Sequence, residues 1–493
     1  MAGKPSHISP VQFPQSGTMN LLLKNKHLYA RACFGTPLQQ TDKSIPLETQ
    51  VNDLFPQTAP ALLEVITAAD WQENSPTAMK EVPDETDKKQ KKKDFRSRTK
   101  DLNLLWLQEM VSTPYPLREK MALFWHGHFA TYIGNPYYGQ QLLHELRKNA
   151  LGNFSDLLVA VSKSQPMLQF LNTNQNKKQH PNENFAREVM ELFTLGRGHY
   201  SEDDIKDAAR AFTGWSFDEN GDFQFNEKQH DNGEKKFLGR TGNFSGDDIL
   251  RIILQQKKCA IFVTQKIYRY LVSDEHIDQE RVNMLADSFY ESNYDIALLL
   301  RNIFTADWFY ERAVAGAKIK SPIELLVGYQ RMIPLQFANS NTLINLQRLL
   351  GQYLFNPPNV AGWPGGRYWI DTSSLALRMR LPEALFGSKE LNLNPKELPV
   401  EMTEMQMVAT GEGQRQKPFK IGNASAEWEP YLAHWRGVDK DDLPATLSAY
   451  LLQVPVTREQ LNDVVSFTDK SSDDAYIKSL TIRLMELPEY QLT

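Results

Sequence analysis

A mainly α fold is what this sequence predicts: a large multi-helix globular domain with a small β-hairpin excursion and long irregular loops. Three observations predict it. Apolar residues recur at three- and four-residue spacing through most of the 493 residues, alternating strand patterns are scarce, and helix-opening and helix-closing residues bracket several segments. With 41% hydrophobic and 23% charged residues, the composition suits a chain that buries a sizeable core. A formal net charge of −5 gives no general basic field and argues against a nucleic-acid partner. Two cysteines, Cys33 and Cys259, are too few for a disulfide framework or a four-cysteine zinc site.

Residues 1–20 are polar, carry several prolines and read as a flexible N-terminal arm. The longest apolar run in residues 1–27 is Leu21–Leu23, too short for a signal peptide. No stretch approaches the roughly 20 apolar residues that span a bilayer, so no membrane insertion is expected. The expected compartment is the cytoplasm, or an extracytoplasmic one if a leader is missing or a partner carries the chain out.

Residues 21–385 read as the helical core, beginning with short helices over 21–75. "KEVPDETDKKQKKKDFRSRTK", Lys80 to Lys100, is a charged insertion. It reads as a solvated surface excursion, the alternative being a basic patch for phosphates or an acidic polymer. Helical spacing resumes in "LNLLWLQEMV" and "PLREKMALFWHGHF", separated by Thr113, Pro114 and Pro116. Further helices are predicted over 140–162, 183–195, 202–212, 247–272, 278–306 and 321–331. In "GDFQFNEKQHDNGEKKFLG", Phe223 and Phe225 alternate and Asn232-Gly233 suits a hairpin turn. Periodicity fades over 386–425, an irregular loop or insertion. It returns over 426–493, a C-terminal helical segment packed on the core.

Two helices are written in detail. In "PNENFAREVMELFTLG", Asn182 or Asn184 caps the start and Gly196 ends the helix in the left-handed region. At about 100° per residue, Phe185, Val189, Leu192 and Phe193 share one side while Asn184, Arg187, Glu188 and Glu191 share the other. A water-facing stripe with Arg187 paired to Glu191 is one reading. The other turns the stripe toward a cleft, where Glu188 and Glu191 bind a cation or act as acid and base. The next helix opens with a Ser201/Asp204 capping box and a Tyr200/Ile205 staple, and it should pack on the first as a hairpin.

"ALFWHGHFAT" sets His126 and His128 between Trp125 and Phe129. If the helix continues through both, the rings point about 200° apart and cannot share a metal. If the chain turns extended at Gly127, both rings project to one side in a metal-binding geometry suited to zinc, iron or copper. A histidine packed in the core by a ring hydrogen bond is the plainer alternative. His230 and Asp231 lie just ahead of a turn, within reach of a cleft. In "FNPPNVAGWPGGRYWIDTSSLALRMRL", Trp363, Tyr368 and Trp369 offer a stacking surface, with Arg367 for an anion, or else an aromatic plug over the core.

"LREKMALFWHGHFAT", "ENFAREVMELFTLG", "DAARAFTGWSF", "HDNGEKKFLG", "IKSPIELLVGYQR" and "NPPNVAGWPGGRYWI" resemble, in order, the signature segments of the bacterial domain-of-unknown-function family numbered 1800. "HLYARACFG" and "ELPEYQLT" resemble its two ends. The resemblance implies one helical family-length unit and no settled activity, so it carries over no catalytic residue. It also implies a sulfatase-like protein partner, encoded nearby and often exported. Cys33 departs from the family pattern, where glycine is common, and 80–100 and 386–425 look like local elaborations.

Two functions compete. One is a metal-assisted or acid–base hydrolase acting on a glycan or an anionic ester. Its catalytic groups are Glu188, Glu191, Arg187, His230 and Asp231. Asn184, Trp363, Arg367, Tyr368 and Trp369 bind substrate, and His126, His128, Glu188 and Glu191 hold a divalent metal ion. The other is a non-catalytic partner or scaffold, in which these groups are caps, turns and internal ion pairs. A sugar-binding module built on the aromatic loop is a third.

Overall fold

The computed structural model describes residues 19–38, 45–387, 391–393, 419–421 and 424–493. The expected flexible arm therefore lies almost wholly outside the described residues, as does most of the 386–425 loop. Within that loop, Leu391–Leu393 pairs antiparallel with Phe419–Ile421. Helices dominate the described chain, and the strands form only short antiparallel pairs.

Two apolar cores organise the helices. The first gathers buried residues from Met19 to Val327, together with Leu354 and Phe355. The second gathers residues from Leu325 to Tyr490. The Pro322–Met332 helix serves both: Ile323 and Val327, four residues apart, enter the first, while Leu325, Leu326 and Tyr329 enter the second. The C-terminal segment thus shares its core with the Pro322–Met332, Asn341–Leu350 and Thr372–Phe386 helices.

The charged stretch is solvated, as expected, and it is helical. Glu85–Ser112 is one continuous 28-residue helix. Asp84 caps it by accepting from the Thr86 and Asp87 amides, and Glu85 and Asp87 suit the positive end of the helix dipole. The helix ends at Thr113, one residue before Pro114. Its apolar second half buries Leu102, Trp106, Leu107 and Met110, and this packing stabilises a charged first half that has little burial of its own. Next to it, the fully buried Glu119 meets the Arg147 guanidinium and the Trp106 indole N–H, each at 2.9 Å.

The β excursion is two hairpins. Trp215–Phe217 pairs with Phe223–Phe225, and Lys235–Phe237 pairs with Arg240–Gly242. The second turn is made by Leu238 and Gly239, both at positive φ, and not by Asn232-Gly233. Asp231 explains the difference: its carboxylate accepts the Gly233 amide at 2.8 Å and closes a local side-chain turn before the strand begins.

Candidate functional site

Three of the family-like segments meet at the end of the Pro116–His128 helix, which runs through both histidines. The extended alternative at Gly127 is therefore not taken. His126 is buried, and its Nε2 accepts the Phe355 backbone N–H at 3.0 Å, which puts the ring proton on Nδ1. Trp106, Phe355 and Trp363 enclose the ring at centroid distances of 5.1–5.4 Å. Burial holds its pKa down to about 3.

His128 turns elsewhere. Its Nε2 lies 3.0 Å from the Phe193 carbonyl, which accepts the ring proton. Burial first, then the Lys266 charge, lowers its pKa to about 3. Nδ1 is buried and has no hydrogen-bond partner among the described residues. The two rings are spent on two different backbone groups. No three His, Cys, Asp or Glu side chains among the described residues form a group able to hold a metal ion, so His126, His128, Glu188 and Glu191 are not gathered as ligands.

The helix that His128 meets is short and unusual. Asn184–Glu188 is α-helical, then Val189–Thr194 widens into a π turn in which the Leu195 N–H reaches back to the Met190 carbonyl at 2.8 Å. Gly196 follows at φ +79° and closes it as expected. Near a helix end a carbonyl lacks an onward amide, and His128 supplies the missing donor to Phe193.

The polar stripe of this helix faces away from His128. Arg187 bridges to Glu202 at 2.8 and 3.0 Å and to Glu183 at 3.3 Å, not to Glu191. Glu191 accepts from Arg197 at 2.5 Å and from the Tyr200 hydroxyl at 3.0 Å. Burial works against ionisation of Glu191, but these two partners outweigh it and lower its pKa. Asn184 is exposed. Glu188 is half-buried, with no ion-pair or hydrogen-bond partner among the described residues, and burial followed by the Glu191 charge raises its pKa. The inward side belongs to Phe185, Ala186, Val189, Met190 and Phe193. Burying several charges in place of apolar groups would cost far more than pairing them at the surface.

His230 and Asp231 fasten the hairpins to the Glu202–Ala211 helix. The His230 Nδ1 hydrogen-bonds the Thr213 carbonyl at 2.8 Å, and Phe225 packs against its ring. Asp231 pairs with Arg210 at 2.8 Å, which holds its carboxyl below the usual range. The Lys235 ammonium, nearly buried, donates to the Asp231 and Gly233 carbonyls.

The aromatic loop does not present one stacking surface. Trp363 packs on His126, Trp369 is buried, and Tyr368 is 80% exposed. Arg367 pairs with Glu275 at 2.9 Å. Gly362, at φ +80°, lies so close to the Gly127 carbonyl that a Cβ would overlap it.

Sequence reasoning passed over a cluster of interior charges. Lys120 and Glu324 form a buried ion pair, and Lys120 also donates to the Cys33 carbonyl at 2.8 Å. Burial works to raise the Glu324 carboxyl, but Lys120 and Lys318 outweigh it and bring its pKa to about 2. The pair borders a cavity of about 210 Å³ between the two cores, lined also by Lys320, Arg331, Tyr450 and Tyr490. Lys320 donates to the Tyr490 carbonyl at 2.6 Å, and burial lowers its pKa to about 7. A detectable signal existed for Glu324, a lone charge in the apolar run Pro322–Val327, whereas Lys120 follows Arg118 and Glu119 and does not stand out.

Among the described residues, no helix is long and apolar enough to cross a membrane. No curated protein matches the chain, and no solved structure does. The family model for the "Protein of unknown function (DUF1800)" matches residues 27–492, nearly the whole length, and the chain belongs to that family.

Proposed function

We propose that this protein is a non-catalytic partner or scaffold for another protein, of which a sulfatase-like protein encoded nearby is the class to test. One observation carries the reading: of the polar residues singled out in the family-like segments, all but Glu188 and the exposed Tyr368 are engaged in internal bonds. Arg187 ties two helices through Glu202, Arg210 and Asp231 hold the hairpin, and His126 and His128 bind backbone groups of other segments. Groups so engaged build a rigid surface. The test is co-expression with the neighbouring sulfatase-like product, followed by size-exclusion chromatography with light scattering. A stable stoichiometric complex is expected, and two separate species at micromolar concentration would remove the proposal.

A second, enzymatic reading is favoured by the interior cavity, where Lys320 titrates near neutrality beside Lys120 and Arg331. Cations in such a space suit an anionic ester and its developing charge. Hydrolysis of 4-nitrophenyl esters that is abolished in Lys320→Met would support it. Equal rates in both proteins would end it.

A further inference from the structure

The first half of the Glu85–Ser112 helix is more than a solvated face. Lys88, Lys92 and Arg96 recur every four residues, so they share one side of the helix at steps of about 6 Å. All three line a cleft of about 730 Å³, and Lys80 lines it too. That volume lies in the range of small-molecule sites, roughly 300–1,000 Å³. No Asp or Glu is among the residues lining it. Lys88 holds Glu85 at 3.1 Å and the Lys92 charge also acts on Glu85, whereas Lys80 and Arg96 form no ion pair among the described residues. Four like charges around one concavity repel each other, and this gathering occurs in a chain whose net charge is −5.

The opposite wall is aromatic. Trp71, Tyr132, Tyr138, Phe170 and Phe217 come from distant parts of the chain to line the same space, and Phe95 joins them from the basic helix itself. Trp71 stacks on Tyr137 at 4.4 Å with an interplanar angle of 2°, and Tyr138 meets it edge-on at 5.0 Å. These contacts hold the wall rigid, which limits the ordering cost of a ligand laid against it. Asn74, Asn135, Gln165 and Gln169 add uncharged donors and acceptors.

We propose that this cleft binds a small oxyanion bearing a planar ring, an aryl or nucleoside phosphate or sulfonate. The oxyanion sits on Lys88, Lys92 and Arg96, and the ring lies against the aromatic wall. Cations along one edge and π faces along the other match the two ends of such a molecule.

The test is fluorescence titration of the full chain with 8-anilinonaphthalene-1-sulfonate, followed by displacement with AMP, adenosine and inorganic phosphate. Saturable one-site binding is expected, displaced by AMP far better than by adenosine or phosphate. The Lys92→Glu/Arg96→Glu double variant should weaken it about tenfold or more, and added salt should weaken it too. Both side chains are exposed, so the variant should fold, which an unchanged melting curve verifies. Lys470→Glu, an exposed change elsewhere, controls for net charge. Dye binding that never saturates, that is equal in the double variant and the Lys470→Glu control, or that adenosine displaces as well as AMP does, would overturn the proposal.

Discussion

The His126 ring and the Phe355 amide meet at 3.0 Å across 229 residues of chain. Phe355 itself adopts a left-handed conformation at φ +65°, and its carbonyl accepts the Ile133 N–H at 3.0 Å. One residue of the Gly- and Pro-rich loop is thereby tied from both sides to the end of the Pro116–His128 helix. Two family-like segments that lie far apart in sequence form a single seam.

His126→Phe keeps an aromatic ring but leaves the Phe355 N–H buried without an acceptor. The expected cost is about 2 kcal/mol of stability, read by urea denaturation. Hydrogen exchange should speed up at residues 355–363 while the Val189–Thr194 turn stays protected. His128→Phe should show the reverse. Equal exchange throughout in both variants would mean that the rings do not act as separate latches.

Acid should loosen the fold over a defined range. Both histidines ordinarily titrate near 6.5, and burial lowers each to about 3. Between those values the unfolded chain takes up protons that the native one refuses, so stability falls as pH drops from 6.5 toward 3. Each ring contributes about 1.4 kcal/mol per pH unit. The His126→Phe/His128→Phe double variant should lose stability less steeply over the same range, and denaturation midpoints at half-unit pH steps would measure the two slopes.

Lys120 and Glu324 should show strong energetic coupling. Removing either partner strands the other charge in the interior, at about 3–5 kcal/mol. Lys120→Met/Glu324→Leu should cost less than the sum of the single changes, because it leaves no unpaired charge. The Glu324 contribution is present above pH 4.5 and is lost as pH falls through about 2. Additive single changes in a double-mutant cycle would deny the coupling.

Glu188→Gln should stabilise the protein slightly at neutral pH. The raised carboxyl pKa means that the charged form is disfavoured in the fold, so removing the charge should raise stability, by no more than the roughly 0.5 kcal/mol of a solvent-screened surface change. The gain should vanish below pH 4.5, where the carboxyl is protonated in both states. A loss of stability at pH 7 would point to a partner for Glu188 not seen in this structure.

Local patterns carried much of the architecture into the sequence. The Ser201/Asp204 box caps its helix with hydrogen bonds of 2.8 and 3.1 Å, Gly196 closes the preceding one, and Phe185 packs on Phe212 at 4.9 Å across the expected hairpin. Each depends on groups a few residues apart, or on one apolar face seeking another. The Lys88, Lys92 and Arg96 spacing was equally visible, but its consequence was not, because the aromatic wall opposite arrives from five other segments.

The sequence by itself determined that the chain is helical, which faces are apolar, where several helices begin and end, and which family it belongs to, although the stretches 140–162, 247–272 and 278–306 each fold as two helices. Tertiary structure alone decided what the polar residues do. The helix running through His126 and His128 sends the two rings apart and rules out a shared metal, and the arrival of Phe355 and Phe193 then decides which backbone group each ring binds. Arg187 had Glu191 within one turn, yet the neighbouring helix offered Glu202 in a two-pronged geometry that matches the planar guanidinium better. Helical periodicity is set by backbone geometry within a few residues. The partner of a charge or a ring nitrogen is set by whichever group, from anywhere in the chain, lies within about 3 Å after folding.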